Sequence, residues 1–399
     1  MVGNTEVIVI GGGYAGVMAA SRLTQRDDVT VTLINPRPDF VERVRLHQLV
    51  GGTHDAVADY RKVLAGGVRL VVDTVTRIDV AERSVTSAAG RTYGYDYLVY
   101  AVGSGSAEPS VPGAAEFAHP VAGLEEARRL RTVLDATPAT AAVTVVGAGP
   151  SGIETAAELA EEGRAVTLVC GGPLGPYLHP RGRRSVAGRL ARLGVTVLDG
   201  PGTKVTAVTR DAVRLDDGRT VPSAVTVWTA GFGVPDLAAR SGLSTDADGR
   251  LLTDETLTSV DDIRIVAAGD SAAPSDLPFR MGCQSAMQLG PQAAETVLSR
   301  IAGRRPAPVS VGFAGQCISL GRRAGVFQFA HRDDTAIGLH LGGRPGGKLK
   351  EVVCRSIVWQ LAYEARKPGV RTWWAKDGKR EQRLLAKVSQ APAAPERAA

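Results

Sequence analysis

Two glycine-rich turns have the spacing needed to hold the pyrophosphate of a dinucleotide. The first is Gly11-Gly12-Gly13-Tyr14-Ala15-Gly16 and the second is Gly147-Ala148-Gly149-Pro150-Ser151-Gly152, so each matches G-x-G-x-x-G. In this pattern the first glycine allows a tight turn, the second lets the pyrophosphate approach the backbone, and the third allows close contact between helix and sheet. The free N–H groups at the start of the following helix attract phosphate. We therefore expect cofactor contacts from Gly11, Gly13, Tyr14, Ala15 and Gly16, and from Gly147, Gly149, Pro150, Ser151 and Gly152.

The segments around each turn predict the elements that position it. The strand, helix and second strand fall at 7–10, 17–25 and 29–34 around the first turn, and at 143–146, 153–162 and 165–169 around the second. The strands are short, apolar and rich in β-branched residues, as expected in a parallel sheet covered on both faces. The repeated order predicts an α/β chain with two Rossmann-like, doubly wound domains.

The residue at the end of each second strand, where an acidic side chain commonly binds the ribose, is not acidic. Asn35 occupies this position after the first turn and Cys170 after the second. Asn35 can hydrogen-bond a ribose hydroxyl, although it also suits the start of the Asn35-Pro36 turn. At Cys170 the sequence has neither the carboxylate that favours NADH nor the arginine that favours NADPH. The choice between NADH and NADPH therefore stays open.

Three further segments resemble those of flavoproteins with two dinucleotide-binding domains. They are Tyr95–Ser104, Val225–Gly231 and Ile263–Asp270. In that family the first leads from the FAD domain into the NAD(P)H domain, the second leads back, and the third ends in a Gly-Asp pair at the flavin. The resemblance implies FAD and NADH or NADPH as cofactors. It adds five cofactor-binding residues, Ala101, Gly103, Gly231, Gly269 and Asp270. The carboxylate of Asp270 can accept a hydrogen bond from a ribityl hydroxyl.

The electron acceptor is indicated by one absence and one motif. Disulfide reductases of this superfamily carry a C-x-x-x-x-C pair in the part that corresponds to 40–48, where this chain has no cysteine. Residues 283–288, Cys-Gln-Ser-Ala-Met-Gln, resemble the A-Q-x-A-x-Q motif of type II NADH dehydrogenases, the NADH:quinone oxidoreductases. That resemblance implies a quinone pocket bordered by Gln284 and Gln288, whose spacing of four places them on one helix face. Oxidoreductases similar to apoptosis-inducing factor share this outline.

Glu154 follows the second glycine turn directly. It matches a glutamate that lies near the nicotinamide and the flavin in the same family, so the resemblance implies a catalytic role in positioning and proton handling. A glutamate stabilised by the dipole at a helix start is the simpler alternative.

The positive charge of the chain is concentrated near its C-terminal end. The 399 residues have a net charge of +6, yet residues 348–387 contain eleven basic and four acidic residues and three of the four tryptophans. A basic segment with tryptophans suits the headgroup region of a membrane. The alternative is a helix that packs on the enzyme or on a second copy in a homodimer. Lys350 and Glu364 make the amphipathic pattern imperfect, because both fall within its apolar sector.

Composition excludes several classes of protein. An apolar fraction of 44% and a charged fraction of 22% are typical of a folded globular chain. The four cysteines are dispersed, without the spacing of a metal site or a disulfide framework, so we expect no metal and reduced thiols. Neither a signal peptide nor a membrane-spanning run is predicted. We expect a cytoplasmic protein, peripheral on the cytoplasmic face of the membrane if the basic segment binds lipid.

The motifs also predict the domain boundaries. A FAD domain is expected at 1–108 and 245–315, an NAD(P)H domain at 109–244, an acceptor and membrane-interface region at 316–387, and a disordered tail at 388–399. The leading hypothesis is an enzyme that passes hydride from NAD(P)H to flavin and two electrons to a quinone at the membrane surface. One alternative is a soluble NAD(P)H-dependent flavoprotein with another small-molecule or electron-carrier acceptor. The other is a flavin-containing sensor whose basic tail binds a partner, although no recognisable nucleic-acid module supports nucleic-acid binding.

Overall fold

The computed structural model describes residues 4–370 and 376–390. Over these residues the helices are α1 (Tyr14–Leu23), α2 (Leu46–Val50), α3 (Tyr60–Val63), α4 (Ala114–Phe117), α5 (Leu124–Asp135), α6 (Pro150–Glu161), α7 (Pro180–Arg192), α8 (Leu237–Arg240), α9 (Cys283–Ile301), α10 (Gly343–Arg366) and α11 (Arg380–Gln390), with 3-10 turns at Arg43–Arg45 and Gly269–Ser271. The strands are β1 (Thr5–Ile10), β2 (Val29–Asn35), β3 (Asp39–Val41), β4 (Val57–Asp59), β5 (Val68–Val72), β6 (Val75–Asp79), β7 (Ser84–Ser87), β8 (Thr92–Gly94), β9 (Tyr97–Tyr100), β10 (Gly105–Ser106), β11 (Ala118–Pro120), β12 (Ala142–Val146), β13 (Ala165–Val169), β14 (Thr196–Leu198), β15 (Val205–Val208), β16 (Ala212–Leu215), β17 (Thr220–Pro222), β18 (Val225–Trp228), β19 (Phe232–Gly233), β20 (Leu251–Thr253), β21 (Ile265–Ala267), β22 (Ala272–Pro274), β23 (Gly315–Ser319), β24 (Gly325–Ala330) and β25 (Ala336–Leu341).

The first of two large sheets has five parallel strands in the order β21-β9-β1-β2-β5. Its central strand β1 is apolar and buried over its last four residues, because one face of the sheet packs against α1 and α9 and the other against β6, β7 and α8. The chain proceeds from β1 to β2 and β5 on one side, whereas β9 and β21 lie on the other. The carboxyl end of β1 is therefore a topological switch point, where open α/β sheets bind their ligands.

The second large sheet repeats this arrangement, with five parallel strands in the order β11-β18-β12-β13-β14. It lies between β9 and β21 in the sequence, although these two strands are neighbours in the first sheet. The segments that lead into and out of the second sheet run side by side, since β10 pairs antiparallel with β19. The prediction of two Rossmann-like domains, the second inserted in the first, is confirmed.

A three-stranded antiparallel sheet, β23-β24-β25, follows the first domain and packs against the long helix α10. The buried residues of α10 include Cys354, Ile357 and Leu361. Glu364, which departs from the apolar pattern, is fully buried and accepts two hydrogen bonds from Arg22, at 2.6 and 2.8 Å. The structure thus packs this part of the basic segment on the protein, which was one of the two alternatives.

Less of the remaining C-terminal segment is described. Arg380, at the start of α11, is fixed to Glu255 by hydrogen bonds of 2.7 and 2.9 Å. The helix continues to Gln390, into the part expected to be a disordered tail, and residues 391–399 lie outside the described residues, as do Trp373 and Trp374. Among the described residues, no helix combines the length and the apolar character needed to cross a bilayer.

Candidate functional site

The first glycine turn connects β1 to α1 at the switch point of the first sheet. Gly11 has a φ of +99°, and a Cβ atom there would lie 2.3 Å from the carbonyl oxygen of Ala101. At Gly16 a Cβ atom would lie 1.8 Å from the carbonyl oxygen of Gly11. By contrast, a Cβ atom at Gly13 would meet nothing within 4 Å. The turn is therefore tightly packed at Gly11 and Gly16 and open at Gly13, as a pyrophosphate site requires.

Asn35 supports this turn from the end of β2. Its Oδ1 accepts a hydrogen bond of 2.9 Å from the N–H of Gly12, and its Nδ2 donates to the carbonyl of Arg37 at 2.9 Å. The hydroxyl of Tyr60 donates to the carbonyl of Gly12 at 2.8 Å. Sequence reasoning missed Tyr60, because its contact with the turn comes from a distant helix. The structure thus gives Asn35 a role in holding the turn, and its contact with a ribose stays a prediction.

Two further predicted residues of this site, Tyr14 and Ala15, are buried in α1. The ring of Tyr14 packs edge-on against Phe40, with 5.3 Å between ring centroids. Ala15 lies where α1 meets α9, and a Cβ atom at Gly290 would be 2.3 Å from its carbonyl oxygen. A Cβ atom at Gly269 would likewise lie 2.9 Å from the Cβ of Ala15. Small residues at these positions bring the Gly269-Asp270 turn close to the first glycine turn.

Asp270 follows β21 at the same edge of the sheet. Its Oδ1 accepts a hydrogen bond of 2.9 Å from the N–H of Gly282, and its Oδ2 accepts one of 2.7 Å from the hydroxyl of Ser104. Arg43 lies 3.8 Å from Oδ2. The carboxylate is therefore held in place beside the start of α9. The sequence predicted Asp270 but gave no sign of Ser104 or Arg43 as its partners.

The second glycine turn has the same construction. Gly147 has a φ of +125°, a Cβ atom at Gly152 would lie 2.0 Å from the carbonyl oxygen of Gly147, and one at Gly149 would meet nothing within 4 Å. Pro150 and Ser151 are the first two residues of α6. The remaining predicted glycines, Gly103 and Gly231, have φ values of +72° and +82° near the connections between the two large sheets.

Cys170 directly follows β13, at the ribose position of the second turn. Its thiol is partly buried, and burial, together with the nearby charge of Asp199, raises its pKa to about 12. The thiol is therefore neutral at physiological pH, and it offers no charge by which NADH and NADPH could be distinguished.

Glu154, in the first turns of α6, belongs to a buried network that joins several parts of the chain. Its Oε1 lies 2.9 Å from Nζ of Lys350 in α10 and accepts a hydrogen bond of 2.9 Å from the N–H of Ser319 at the end of β23. Its Oε2 lies 3.5 Å from Nδ1 of His47 in α2. His47 Nε2 and the Ser319 hydroxyl share a hydrogen bond of 2.9 Å. All four residues are less than a tenth exposed.

The protonation states in this network follow from burial and charge. Burial opposes the ionisation of Glu154, but Lys350, His47 and the hydrogen bonds outweigh it, so its pKa lies below the ordinary value. Burial also opposes the charge of Lys350, whose pKa is nevertheless raised by Glu154. Burial lowers the pKa of His47 to about 4. The network at neutral pH is thus a carboxylate–ammonium pair beside a neutral imidazole.

Gln284 and Gln288 share a face of α9, as predicted from their spacing. Gln288 is buried and exchanges hydrogen bonds with the backbone of Gly312, donating at 3.1 Å and accepting at 3.1 Å. Gln284 is partly exposed. With its amide oriented so that both ends have partners, it donates to the carbonyl of Gly315 at 3.1 Å and accepts from the N–H of Ala314 at 3.0 Å. Gln292, one turn further on, does so with Ser310. The three glutamines therefore hold residues 310–315 along the helix, and a contact of Gln284 or Gln288 with quinone stays a prediction.

Lys350 is the main site residue that sequence reasoning missed. In the sequence it belongs to the basic segment, and the only signal of its burial was its place in the apolar sector of a helix. The next residue, Glu351, binds the buried Arg45 through two hydrogen bonds of 3.0 Å. A cavity of about 300 Å³ adjoins the network, and its lining includes Ser319, Arg322, Lys348 and Lys350.

The sequence of the chain matches a known family. Residues 5–296 match the family described as pyridine nucleotide-disulphide oxidoreductase. The chain belongs to this family. An NADH dehydrogenase-like protein of Mycobacterium tuberculosis is 33% identical over 326 residues, which cover 74% of this chain and 80% of the relative. The type II NADH:quinone oxidoreductase Ndh of the same organism is 30% identical over 349 residues, which cover 76% of this chain and 74% of the relative.

Solved structures share the fold. NDH2 from Plasmodium falciparum, solved in complex with NADH, gives a TM-score of 0.75 at 16% identity and covers 92% of this chain and 99% of its own. The sulfide:quinone oxidoreductase of Aquifex aeolicus gives a TM-score of 0.75 at 20% identity, with coverage of 92% and 93%. As a member of the family, the chain is an NAD(P)H-dependent flavin oxidoreductase. FAD and NAD(P)H fit the two glycine turns, because both turns are open where a pyrophosphate would lie, and the assignment of FAD to the first turn with Asp270 and of NAD(P)H to the second stays a prediction.

Proposed function

We propose that the enzyme passes electrons from NAD(P)H through flavin to a quinone, and that it does so at a membrane surface. The observation that carries this proposal is the buried Lys350–Glu154 pair beside the cavity of about 300 Å³. This pair lies where α6 of the second domain, α2 and the C-terminal elements meet. The ammonium is thus a hydrogen-bond donor beside a cavity that reaches the surface, and its partner Glu154 lies two residues after the second glycine turn.

The overall reaction is NAD(P)H + H⁺ + quinone → NAD(P)⁺ + quinol. When bound, FAD supplies the chemistry that accepts a hydride and passes on two electrons. The protein contributes orientation and a path for protons. We assign to the Lys350 ammonium the hydrogen bond that stabilises negative charge developing on a quinone oxygen, since such donors are most effective in a buried site. Glu154 holds this ammonium in place and keeps it protonated. Because its pKa is raised, Lys350 acts as a hydrogen-bond donor, and the protons of the quinol would come from solvent through the cavity, which Arg322 and Lys348 also line.

The glutamines of α9 contribute indirectly in this arrangement. Since Gln288 is bonded on both sides to the backbone of Gly312, its part would be to fix residues 310–315, which lead into β23 and Ser319. Gln284 is more exposed, and it lies in the first turn of α9, which begins after Gly282, the backbone donor to Asp270. Its greater exposure makes Gln284 the more accessible of the two to an acceptor, although its amide is paired with Ala314 and Gly315.

The outer face of α10 supports contact with a membrane. Lys348, Val352, Arg355 and Trp359 are exposed along this face, and the side chains of Val352 and Trp359 are each 61% exposed. Trp359 stacks on Tyr363, with 5.2 Å between ring centroids. Alternating basic, apolar and aromatic side chains on one exposed face suit the headgroup region of an anionic bilayer. The cavity beside Lys350 lies near the amino-terminal half of this helix.

The acceptor is tested by anaerobic reduction and reoxidation. The purified yellow protein is reduced with one equivalent of NADH, and the return of flavin absorbance is followed after addition of menaquinone and ubiquinone analogues, with a ferredoxin and ferricyanide as other acceptors. We expect the quinones to reoxidise the flavin faster than the ferredoxin, and Lys350→Met to slow the quinone step more than the ferricyanide step. Reoxidation by the ferredoxin but not by quinones would replace this proposal by the soluble alternative.

Membrane binding is tested separately by flotation with vesicles containing phosphatidylglycerol. We expect the wild-type protein to float, and Trp359→Ala with Arg355→Gln to reduce the floating fraction. Tyr177→Ala is the matched control, because Tyr177 is an equally exposed aromatic residue, at 64%, in the second domain. Equal flotation of the α10 variant and the control would refute a role for this helix face.

A further inference from the structure

The ends of β13 and β14 bring a carboxylate to the position where the sequence lacks one. These strands are parallel neighbours, with Val169 beside Leu198. The next residues in this register are Cys170 and Asp199, and neighbouring strands lie only ~4.8 Å apart. Asp199 is therefore directly beside the residue at the ribose position of the second glycine turn. Its charge contributes to the raised pKa of the Cys170 thiol.

Two backbone hydrogen bonds hold the loops on which these residues lie. The N–H of Cys170 donates to the carbonyl of Leu198 at 2.8 Å, and the N–H of Gly200 donates to the carbonyl of Gly172 at 2.9 Å. Asp199 lies between these bonds, so its backbone is fixed relative to the Gly171-Gly172 loop. Its side chain is exposed and makes no ion pair or hydrogen bond among the residues that the structure describes. The carboxylate is thus free to act on a ligand.

We propose that Asp199 selects NADH over NADPH in this enzyme. In NADH the adenosine ribose carries a 2′-hydroxyl, which can donate a hydrogen bond to a carboxylate. In NADPH the same position carries a phosphate, which a carboxylate repels. Asp199 therefore supplies, from the next strand, the discrimination that an acidic residue in place of Cys170 would give. The proposal rests on the oxidation of NAD(P)H by flavin, and it does not depend on the acceptor.

Positive residues on the elements that follow β13 and β14 would oppose this selection if they reached the ribose. Arg181 and Arg184 are exposed near the start of α7. The backbone of Lys204 lies close to Gly171, since a Cβ atom built on Gly171 would be 4.0 Å from the Cα of Lys204. Lys204 approaches the loop through its backbone, whereas Asp199 occupies the register position next to Cys170. We therefore assign the dominant effect to Asp199. Without its carboxylate, the remaining positive charges would favour the 2′-phosphate.

The test measures anaerobic flavin reduction in a stopped-flow instrument, with NADH and NADPH in turn and with no quinone present. We expect wild type to prefer NADH, and Asp199→Asn to raise the ratio of NADPH to NADH efficiency by at least about tenfold, equivalent to ~1.4 kcal/mol. Asp199→Glu keeps the charge and should keep the preference.

The control is Asp135→Asn, which removes an exposed carboxylate at the end of α5, on the opposite edge of the second sheet. It should leave the ratio unchanged. Two results would overturn the proposal: a wild type that uses both nucleotides equally, or an Asp199→Asn ratio within about twofold of wild type. Because the acceptor is absent, a failure of the quinone proposal cannot produce either result. Unchanged flavin content and reduction by NADH would show that the variant is folded.

Discussion

The ion pair between Lys350 and Glu154 permits a quantitative test of the candidate site. Lys350→Met removes the ammonium group and keeps most of the side-chain volume, which leaves Glu154 buried beside His47 and Ser319. At 2.9 Å between Lys350 Nζ and Glu154 Oε1, and with an effective dielectric constant of ~20, the lost attraction is ~6 kcal/mol. Protonation of Glu154 in the variant removes part of this destabilisation, because a neutral carboxyl group is less costly to bury than a charged one. We therefore expect a net loss of stability of ~3 to 5 kcal/mol, as for other broken buried ion pairs.

The assay is thermal unfolding of the holoprotein, followed by circular dichroism at a single scan rate. For domains of this size the expected loss corresponds to a decrease in Tm of ~10 °C at pH 7. Lys348→Met is the matched control, because Lys348 is exposed on the same helix two residues earlier, and its loss should change Tm by less than ~2 °C. Adding Glu154→Gln to Lys350→Met should restore more than half of the lost stability, since it removes the unpaired charge.

The pH dependence provides an independent check with a definite sign. In wild type the lowered pKa of Glu154 stabilises the fold above the carboxyl's ordinary pKa, and this contribution is lost as the pH falls. In Lys350→Met the pKa of Glu154 is raised, so stability is lost instead as the pH rises through the new value. The difference between the two proteins should therefore grow from pH 5 to pH 8. Equal losses in Lys348→Met and Lys350→Met, or a difference that does not grow with pH, would refute the reasoning.

Three further predictions concern other buried or cofactor-facing groups. Burial raises the pKa of Glu158 to about 7, so its contribution to stability is present below its ordinary pKa and is lost as the pH rises through about 7. In Glu158→Gln the free energy of unfolding, measured by urea denaturation, should therefore change less between pH 5 and 8 than in wild type, by up to ~3 kcal/mol. Glu364→Ala leaves Arg22 buried without its bidentate partner and should destabilise the fold by ~3 to 5 kcal/mol, measured by urea denaturation, with faster proteolysis of α10. Asp270→Ala should weaken FAD binding by at least ~10-fold in a flavin titration, whereas Asp270→Asn, which still has an acceptor oxygen, should retain more of the affinity for FAD. An unchanged value in any of these three variants would contradict the corresponding assignment.

The parts of the fold that sequence predicted well depend on local patterns. The strand, glycine turn and helix at each dinucleotide site are adjacent in the chain, and the observed β12 and α6 differ from the predicted segments by at most a few residues. The conformation of Gly11 and the contact of Gly16 with Gly11 also arise within six residues. A short motif therefore carries enough information to predict such a site.

The candidate acceptor site could not be predicted in the same way, because its contacts are distant in sequence. Glu154, Ser319 and Lys350 meet only after the second domain, the antiparallel sheet and α10 have packed together. The spacing of Gln284 and Gln288 revealed a shared helix face but not the backbone at 310–315 that lies against it. Likewise, the register that brings Asp199 beside Cys170 depends on strand pairing.

The buried ion pairs of α10 limit how the enzyme can meet a membrane. Lys350 and Glu364 are a helix length of 14 residues apart, or ~21 Å, and their partners Glu154 and Arg22 belong to different domains. Lifting α10 into a bilayer would break both pairs, at a cost of several kcal/mol for each. The apolar and aromatic side chains of the outer face cannot offset this cost, since Val352 and Trp359 are already exposed. We therefore infer that α10 would dock as a rigid surface, and that a quinone would have to enter the cavity beside Lys350 while the helix stays in place.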